Sequence, residues 1–302
     1  MIGITRILCP VDFSMFSERA LNFAMRMSVW YGSRLHVLHV MPPPTVGDPA
    51  ASGRAMTAKH MAAAVERQRI AGADVTTEII ESAEPAERII DYAEAFDADL
   101  VVMGSHGRRG VERVLLGSVV EALLHRSARP VLVIPSHLDE GRAAQPLRFE
   151  RIVCGVDFST PSMNALALAL AIAEESDSTL TLLHVIDVPP EFSHHPEPPL
   201  FDIDRIRAEA EAERLTALRT LIPAHARDYC TIETAVLEGG VSRQLLRMAL
   251  ARSADLIVLG VHGRNAFNLA FFGSNSKDVI RQAHCPVLVV PATHRASMKA
   301  AS

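Results

Sequence analysis

The sequence predicts an α/β fold, a parallel sheet with helices on both faces, built twice in one chain. Three observations predict it. Short apolar runs alternate with stretches of helical periodicity along the whole chain, which is the pattern of strand–helix–strand units. The segment Arg6-Ile-Leu-Cys-Pro-Val-Asp-Phe-Ser14 returns as Arg151-Ile-Val-Cys-Gly-Val-Asp-Phe-Ser159. Finally Gly104-Ser-His-Gly107, followed after nine residues by Gly117-Ser118, returns as Gly260-Val-His-Gly263, nine residues and Gly273-Ser274.

In chain order, Arg6 to Asp12 reads as a first strand, nearly continuous in apolar residues as a strand covered on both faces should be. Ser14 leads into a helix whose apolar face is Ala20, Leu21, Ala24, Met25 and Met27, and Gly32 stops it because glycine tolerates the left-handed cap. Leu35 to Met41 is the second strand, and the prolines between Pro42 and Pro49 exclude helix or central strand. A helix over Arg54 to Ile70 and a third strand over Val75 to Ile80 follow. Pro85 suits the first turn of the next helix, which runs through Ile89, Ile90 and Ala93. Leu100 to Met103 is the fourth strand and ends at the glycine motif. Gly117-Ser118 opens a helix, and Pro130 to Pro135 is a fifth strand fenced by prolines.

The repeat then divides the chain. Arg151 repeats Arg6 and Leu183 repeats Leu38, both at an offset of 145 residues, whereas Gly260 repeats Gly104 at 156. The extra residues of the second half therefore fall between its second and fourth strands, in a longer loop from Val188 to Leu200 and a longer helix from Phe201 to Leu221. The polar, breaker-rich stretch Ser136 to Pro146 reads as a linker. It separates a first domain at 1–140 from a second at 147–293, with Thr293 to Ser302 as a loose tail.

Composition narrows the function. The 302 residues carry a formal charge of −5, so no basic patch argues for nucleic acid or an anionic membrane as a partner. No apolar run approaches the roughly 18 residues of a membrane span, and the start reads directly into a strand rather than a signal peptide. Cys9, Cys154, Cys230 and Cys285 lie far apart without a C-x-x-C pair, which predicts buried thiols in a reducing cytoplasm.

A glycine just past a strand lets backbone approach a ligand closely, and a helix start offers N–H groups to an anion, so the glycine motif suggests a phosphate cradle. It is neither G-x-x-x-x-G-K-[ST] nor G-x-G-x-x-G. The pattern G-x-x-G, nine residues, G-S, with an Asp at the end of the first strand, resembles the universal stress protein family in its tandem two-domain form. The resemblance covers the chain apart from linker and tail. It implies two five-stranded parallel sheets, doubly wound in the order 3-2-1-4-5 and related by a pseudo-twofold axis. The switch point then lies between the first and fourth strands, where open α/β sheets bind ligands.

Family members that keep this signature bind ATP or related adenine nucleotides (ADP, AMP). Carried over by position, Gly104, Gly107, Gly117 and Ser118 would hold phosphates and ribose, with Val11, Asp12 and Val40 bordering adenine and ribose. The second set is Gly260, Gly263, Gly273 and Ser274 with Val156, Asp157 and Val185. Arg108 and Arg264, each after the second glycine, either pair with phosphate oxygens or stay solvated. Asp12 and Asp157 either contact a nucleotide-bound Mg2+ or cap the next helix. This chain departs from the family at Val119-Val120, where Val120 removes a hydroxyl, and at Asn275-Ser276, where Asn275 is polar; unequal binding by the two halves is expected.

The remaining candidates read more simply. His106 and His262 fill the variable slot of the motif, and His39 and His184 are strand-end histidines. His194-His195 lacks metal-ligand spacing, and Ser14 and Ser159 look like helix caps. No nucleophile–base pair is evident. The leading expectation is therefore a non-enzymatic, ATP-binding stress regulator of the cytoplasm. The alternatives are a slow ATPase or autophosphorylating protein, or a scaffold with a vestigial pocket. The apolar fifth strands at the sheet edges need cover, which antiparallel pairing within one chain would supply; further homodimerisation stays open.

Overall fold

The computed structural model describes residues 3–44, 50–107, 116–136, 138, 147–187, 203–261 and 274–294. Five strands of the first half are β1 (Arg6–Pro10), β2 (Arg34–Met41), β3 (Asp74–Glu81), β4 (Leu100–Gly104) and β5 (Val131–Ile134). Their helices are α1 (Met15–Tyr31), α2 (Ala50–Arg67), α3 (Pro85–Ala95) and α4 (Ser118–Arg126). The second half repeats them as β6 (Arg151–Gly155), α5 (Thr160–Ser176), β7 (Thr179–Ile186), α6 (Ile203–Thr220), β8 (Thr231–Glu238), α7 (Val241–Ala251), β9 (Leu256–Val261), α8 (Ser274–Gln282) and β10 (Val287–Pro291).

All strands form one sheet in the order β3-β2-β1-β4-β5-β10-β9-β6-β7-β8. Within each half every pair is parallel and the order is 3-2-1-4-5, as the resemblance implies. The halves join where β10 pairs antiparallel with β5, Leu288 opposite Leu132. Two edges that would each expose unpaired N–H and C=O groups thereby satisfy one another. Helices α1, α2, α5 and α6 pack one core on one face, while α3, α4, α7 and α8 pack the other. The fifth strands and their neighbours are buried on both sides, which explains their unbroken Val, Leu and Ile runs.

The local signals act as expected at several ends. Gly32 closes α1 at φ 62°, and the second half uses Asp177 in the same left-handed cap at φ 50°. Pro85 occupies the first turn of α3 and Gly117 precedes α4. Other ends move. The first strand stops at Pro10 rather than Asp12, although Val11 N–H still bonds Leu38 O at 2.8 Å before the chain turns. Helix α2 begins at Ala50, before Gly53, and ends at Arg67, ahead of the turn that carries Gly72 at φ 88°. Helices α2 and α6 are equally long, 18 residues each, so a longer helix does not absorb the insertion. Part of the extra length forms a 3-10 turn at Ala224–Asp228; the loop 188–200 and the linker 139–146 lie outside the described residues. All four cysteines are buried free thiols, and burial pushes Cys154 up to about 12 and Cys230 up to about 11.

Candidate functional site at the switch points

The ends of β1 and β4 meet at the switch point of the first half. Asp12 Oδ1 accepts from Ser14 N–H at 3.0 Å and from Ser14 Oγ at 2.6 Å. Ser14 Oγ in turn accepts from Ser17 N–H at 3.3 Å and caps α1. The carboxylate thus braces the cap and leaves the capping itself to the serine. The second half reproduces every bond: Asp157 Oδ1 takes the Ser159 N–H at 3.0 Å and its hydroxyl, and Ser159 caps α5. Burial works to raise the Asp157 carboxyl, but hydrogen bonds from Ser159, Ser162 and its own backbone N–H outweigh it and hold the group below the ordinary range.

The glycines are required for different reasons. A β-carbon on Gly104 would stand 2.7 Å from the Phe16 carbonyl oxygen, and one on Gly260 would overlap the Pro161–Ser162 peptide. Both therefore admit the first turn of α1 or α5 against a strand end. A β-carbon on Gly107 would meet Asp12 Oδ2 at 2.7 Å, which places carboxylate and glycine loop side by side. Gly117 is unlike these. Its φ is −63°, and among the described residues the nearest atom to a β-carbon is 3.6 Å away, so neither their packing nor backbone conformation demands glycine there. Its N–H bonds Ser105 O at 3.1 Å, closing the loop onto the strand end.

The helix behind Gly117 has no side-chain cap, in contrast to α1 and α5, so its first N–H groups lack that partner. Ser118 is exposed beside them and Val120 is buried in the core under α4. Val120 thus packs the helix onto the sheet, while its Cγ2 is the atom nearest to a β-carbon on Gly117, at 3.6 Å. Arg108, His262, Gly263, Arg264 and Gly273 lie outside the described residues, as do His194, His195 and the side chains of Ser274 and Asn275.

Two features of this edge escape sequence reasoning. Phe13 and Phe158 both hold the left-handed backbone conformation, at φ 61° and 63°. For a bulky side chain that costs on the order of 1 kcal/mol, and it recurs at the same position in both halves. Each ring lies against a histidine of the second strand, Phe13 against His39 with centroids 4.4 Å apart and Phe158 against His184 at 4.9 Å. Those histidines bond the carbonyls of Val11 and Val156 through Nδ1, both at 2.7 Å. A carbonyl only accepts, so Nδ1 carries the proton. Val11 and Val156 are buried, and Val40 and Val185 are half-buried one strand over. The repeated Asp-Phe-Ser was the one available sign of the strained turn, since no propensity points to a left-handed phenylalanine.

His106 lies behind the loop. Its Nδ1 is 2.9 Å from Ser105 Oγ, and its ring sits 5.4 Å from Phe16. Ser105 is only 1% exposed, so this serine–histidine contact is packing rather than a nucleophile and its base. Among the described residues no cluster of three or more His, Cys, Asp or Glu side chains could hold a metal ion, and no helix is long and apolar enough to cross a membrane.

An open, doubly wound sheet with a glycine loop and an uncapped helix at its switch point defines a class of α/β binding domains. The universal stress protein family model matches residues 3–135 and again 148–291, and the chain belongs to that family as a tandem of two domains. A universal stress protein of Mycolicibacterium smegmatis is 30% identical over 304 residues, 94% of this chain and 96% of that one. Another, from Mycobacterium tuberculosis, is 32% identical over 199 residues, covering 64% of this chain and 62% of its own length. The crystal structure of a universal stress protein from Archaeoglobus fulgidus superposes with a TM-score of 0.67 at 22% identity, covering 95% of this chain and 96% of its own, and shares the fold.

Proposed function

We infer that each half binds an adenine nucleotide, ATP foremost, in the crevice between its first and fourth strands, and that occupancy regulates the protein's contacts. The observation that carries this is Gly117. It is a glycine that the protein's own packing does not need, ahead of a helix whose first N–H groups have no side-chain cap. A cradle kept free of a β-carbon beside N–H donors without a side-chain cap suits a phosphate. Lys277 Nζ lies 3.2 Å from Glu121 Oε1 and offsets the one carboxylate in that first turn.

Val11, Asp12, Val40 and Phe13 would line the base and ribose end, with Gly107, Gly117, Ser118 and Arg108 toward the phosphates. Val156, Asp157, Val185, Gly263, Arg264, Gly273 and Ser274 would serve the second crevice. Gly104 and Gly260 act one step behind, by letting the helix close against the strand end. Mg2+ would supply charge neutralisation between phosphates. One carboxylate per half, Asp12 or Asp157, suits that arrangement, because Mg2+ keeps several waters and takes few protein ligands when it sits on a nucleotide.

The groups at this edge bind rather than transform. Asp12 is committed to Ser14 and His106 to Ser105, so neither is set as a general base. A cytoplasmic regulator that senses nucleotide fits this better than a catalyst. Isothermal titration with Mg-ATP tests the reading: binding below millimolar is expected, lost in a Gly117→Glu, Gly273→Glu double variant that still folds. No binding of ATP, ADP or AMP below millimolar by the native chain refutes it.

A further inference from the structure

A cavity of about 830 Å3 lies away from both crevices, along the seam where the halves join. Its floor is made of repeat-related pairs, Ile4 with Phe149, Leu100 with Leu256 and Leu132 with Leu288, so neither half could form it alone. The cause lies in the flanking helices. Helix α5 is apolar almost throughout and bears no charged residue before Glu174, and such a helix is expected to be covered all round. Its Ala167 and Ala171 line the cavity and are half-buried. The equivalent positions of α1 are Asn22, which bonds Gln68 at 2.8 Å, and Arg26, which lies over the Phe23 ring. Where α1 carries polar side chains held by Gln68 and Phe23, α5 is cut back to alanine at the cavity.

The rim fixes the sign of the ligand. Among the described residues Glu94, Asp99, Glu174 and Glu175 border the cavity, Asp99 accepting from Thr5 and Arg6 N–H and Glu174 lying 3.7 Å from His225, against the one guanidinium of Arg129, which is paired with Asp97 at 2.8 Å. Burial lowers the pKa of His294, with Arg129 adding to it and Asp99 opposing. An apolar trough within the usual range of about 300–1,000 Å3, edged by excess negative charge, selects an apolar body with a cationic end. We propose that the seam cavity is a second binding site, for a lipophilic amine or quaternary ammonium compound.

Titration calorimetry with decyltrimethylammonium and decyl sulfate, each below its micellar concentration, tests this on the full chain. The cation is expected to bind one per chain, with a Kd about tenfold or more below that of the anion. Glu174→Gln with Glu175→Gln narrows that preference. Ala171→Trp fills the trough and abolishes binding while circular dichroism stays native; if that variant fails to fold, Ala167→Leu serves the same purpose. The proposal is overturned if neither probe binds, if the anion binds as well as the cation, or if a folded trough-filling variant binds the cation undiminished.

Discussion

Gly104 and Gly117 belong to one motif and yet answer to different constraints. At Gly104 any side chain meets the backbone of Phe16, which cannot swing aside, so Gly104→Ala should cost about 1–3 kcal/mol in urea unfolding. Gly117→Ala should change stability by less than about 1 kcal/mol, yet weaken ATP about tenfold, because its methyl group points into space the protein leaves open. Equal stability losses in the two variants would contradict this division. His36 offers a test of a different kind. It is buried, with Nδ1 2.7 Å from Thr76 Oγ1 and Nε2 2.8 Å from Tyr92 Oη. Burial lowers its pKa below the ordinary 6.5, with Glu78 opposing. The unfolded chain therefore takes up this proton more readily than the folded one. The stability from neutral His36 is complete above the unfolded value and is lost as the pH falls through it. The melting temperature should drop between pH 7.5 and 5.5, and His36→Gln should flatten that slope.

Among the elements, α1 and α5 finish their own N-termini with a serine, whereas α3, α4 and α7 start without a side-chain cap, and of these only α4 follows the glycine loop at the switch point. Ser14 and Ser159 satisfy the first turns of α1 and α5, each braced by an aspartate, whereas α4 starts at a glycine with no cap. Helices α4 and α8 also meet across the seam through Glu121 and Lys277, which occupy the same position in the repeat. The pair is partly exposed, so Glu121→Lys should cost only about 0.2–1 kcal/mol, and adding Lys277→Glu should restore it. A double-mutant cycle by thermal unfolding measures this. A coupling of zero would make the contact incidental.

For the whole molecule, the β5–β10 pairing turns two domains into one ten-stranded sheet. Each half produced alone, 1–140 or 147–293, would expose an apolar edge and should self-associate or precipitate. Mixed, the halves should favour the hetero-pair. Self-pairing sets Glu121 against Glu121 or Lys277 against Lys277, and only the mixed pair sets opposite charges together. Native mass spectrometry of the equimolar mixture should show the hetero-pair in excess over the statistical proportion. Halves that remain monomeric would show that the edge is not what holds them together.

The duplication, the class of fold and the placement of Gly104 and Gly260 at the ends of their strands were legible in the chain itself. Strand periodicity, proline fences and a repeated nonapeptide are local signals, and they act over a few residues at a time. The same holds for Gly32, Pro85, Ser14 and Ser159, whose roles follow from backbone preference alone. That packing demands glycine at Gly104 was decided only by the approach of α1 to β4, a contact between segments about ninety residues apart. The left-handed Phe13 and Phe158, each packed on a second-strand histidine, and the burial of Val120 in the core are likewise features of tertiary packing. The seam cavity is the furthest from local reading. It exists because α5 carries alanine where α1 carries arginine and asparagine, and that difference becomes space only once two halves share one sheet.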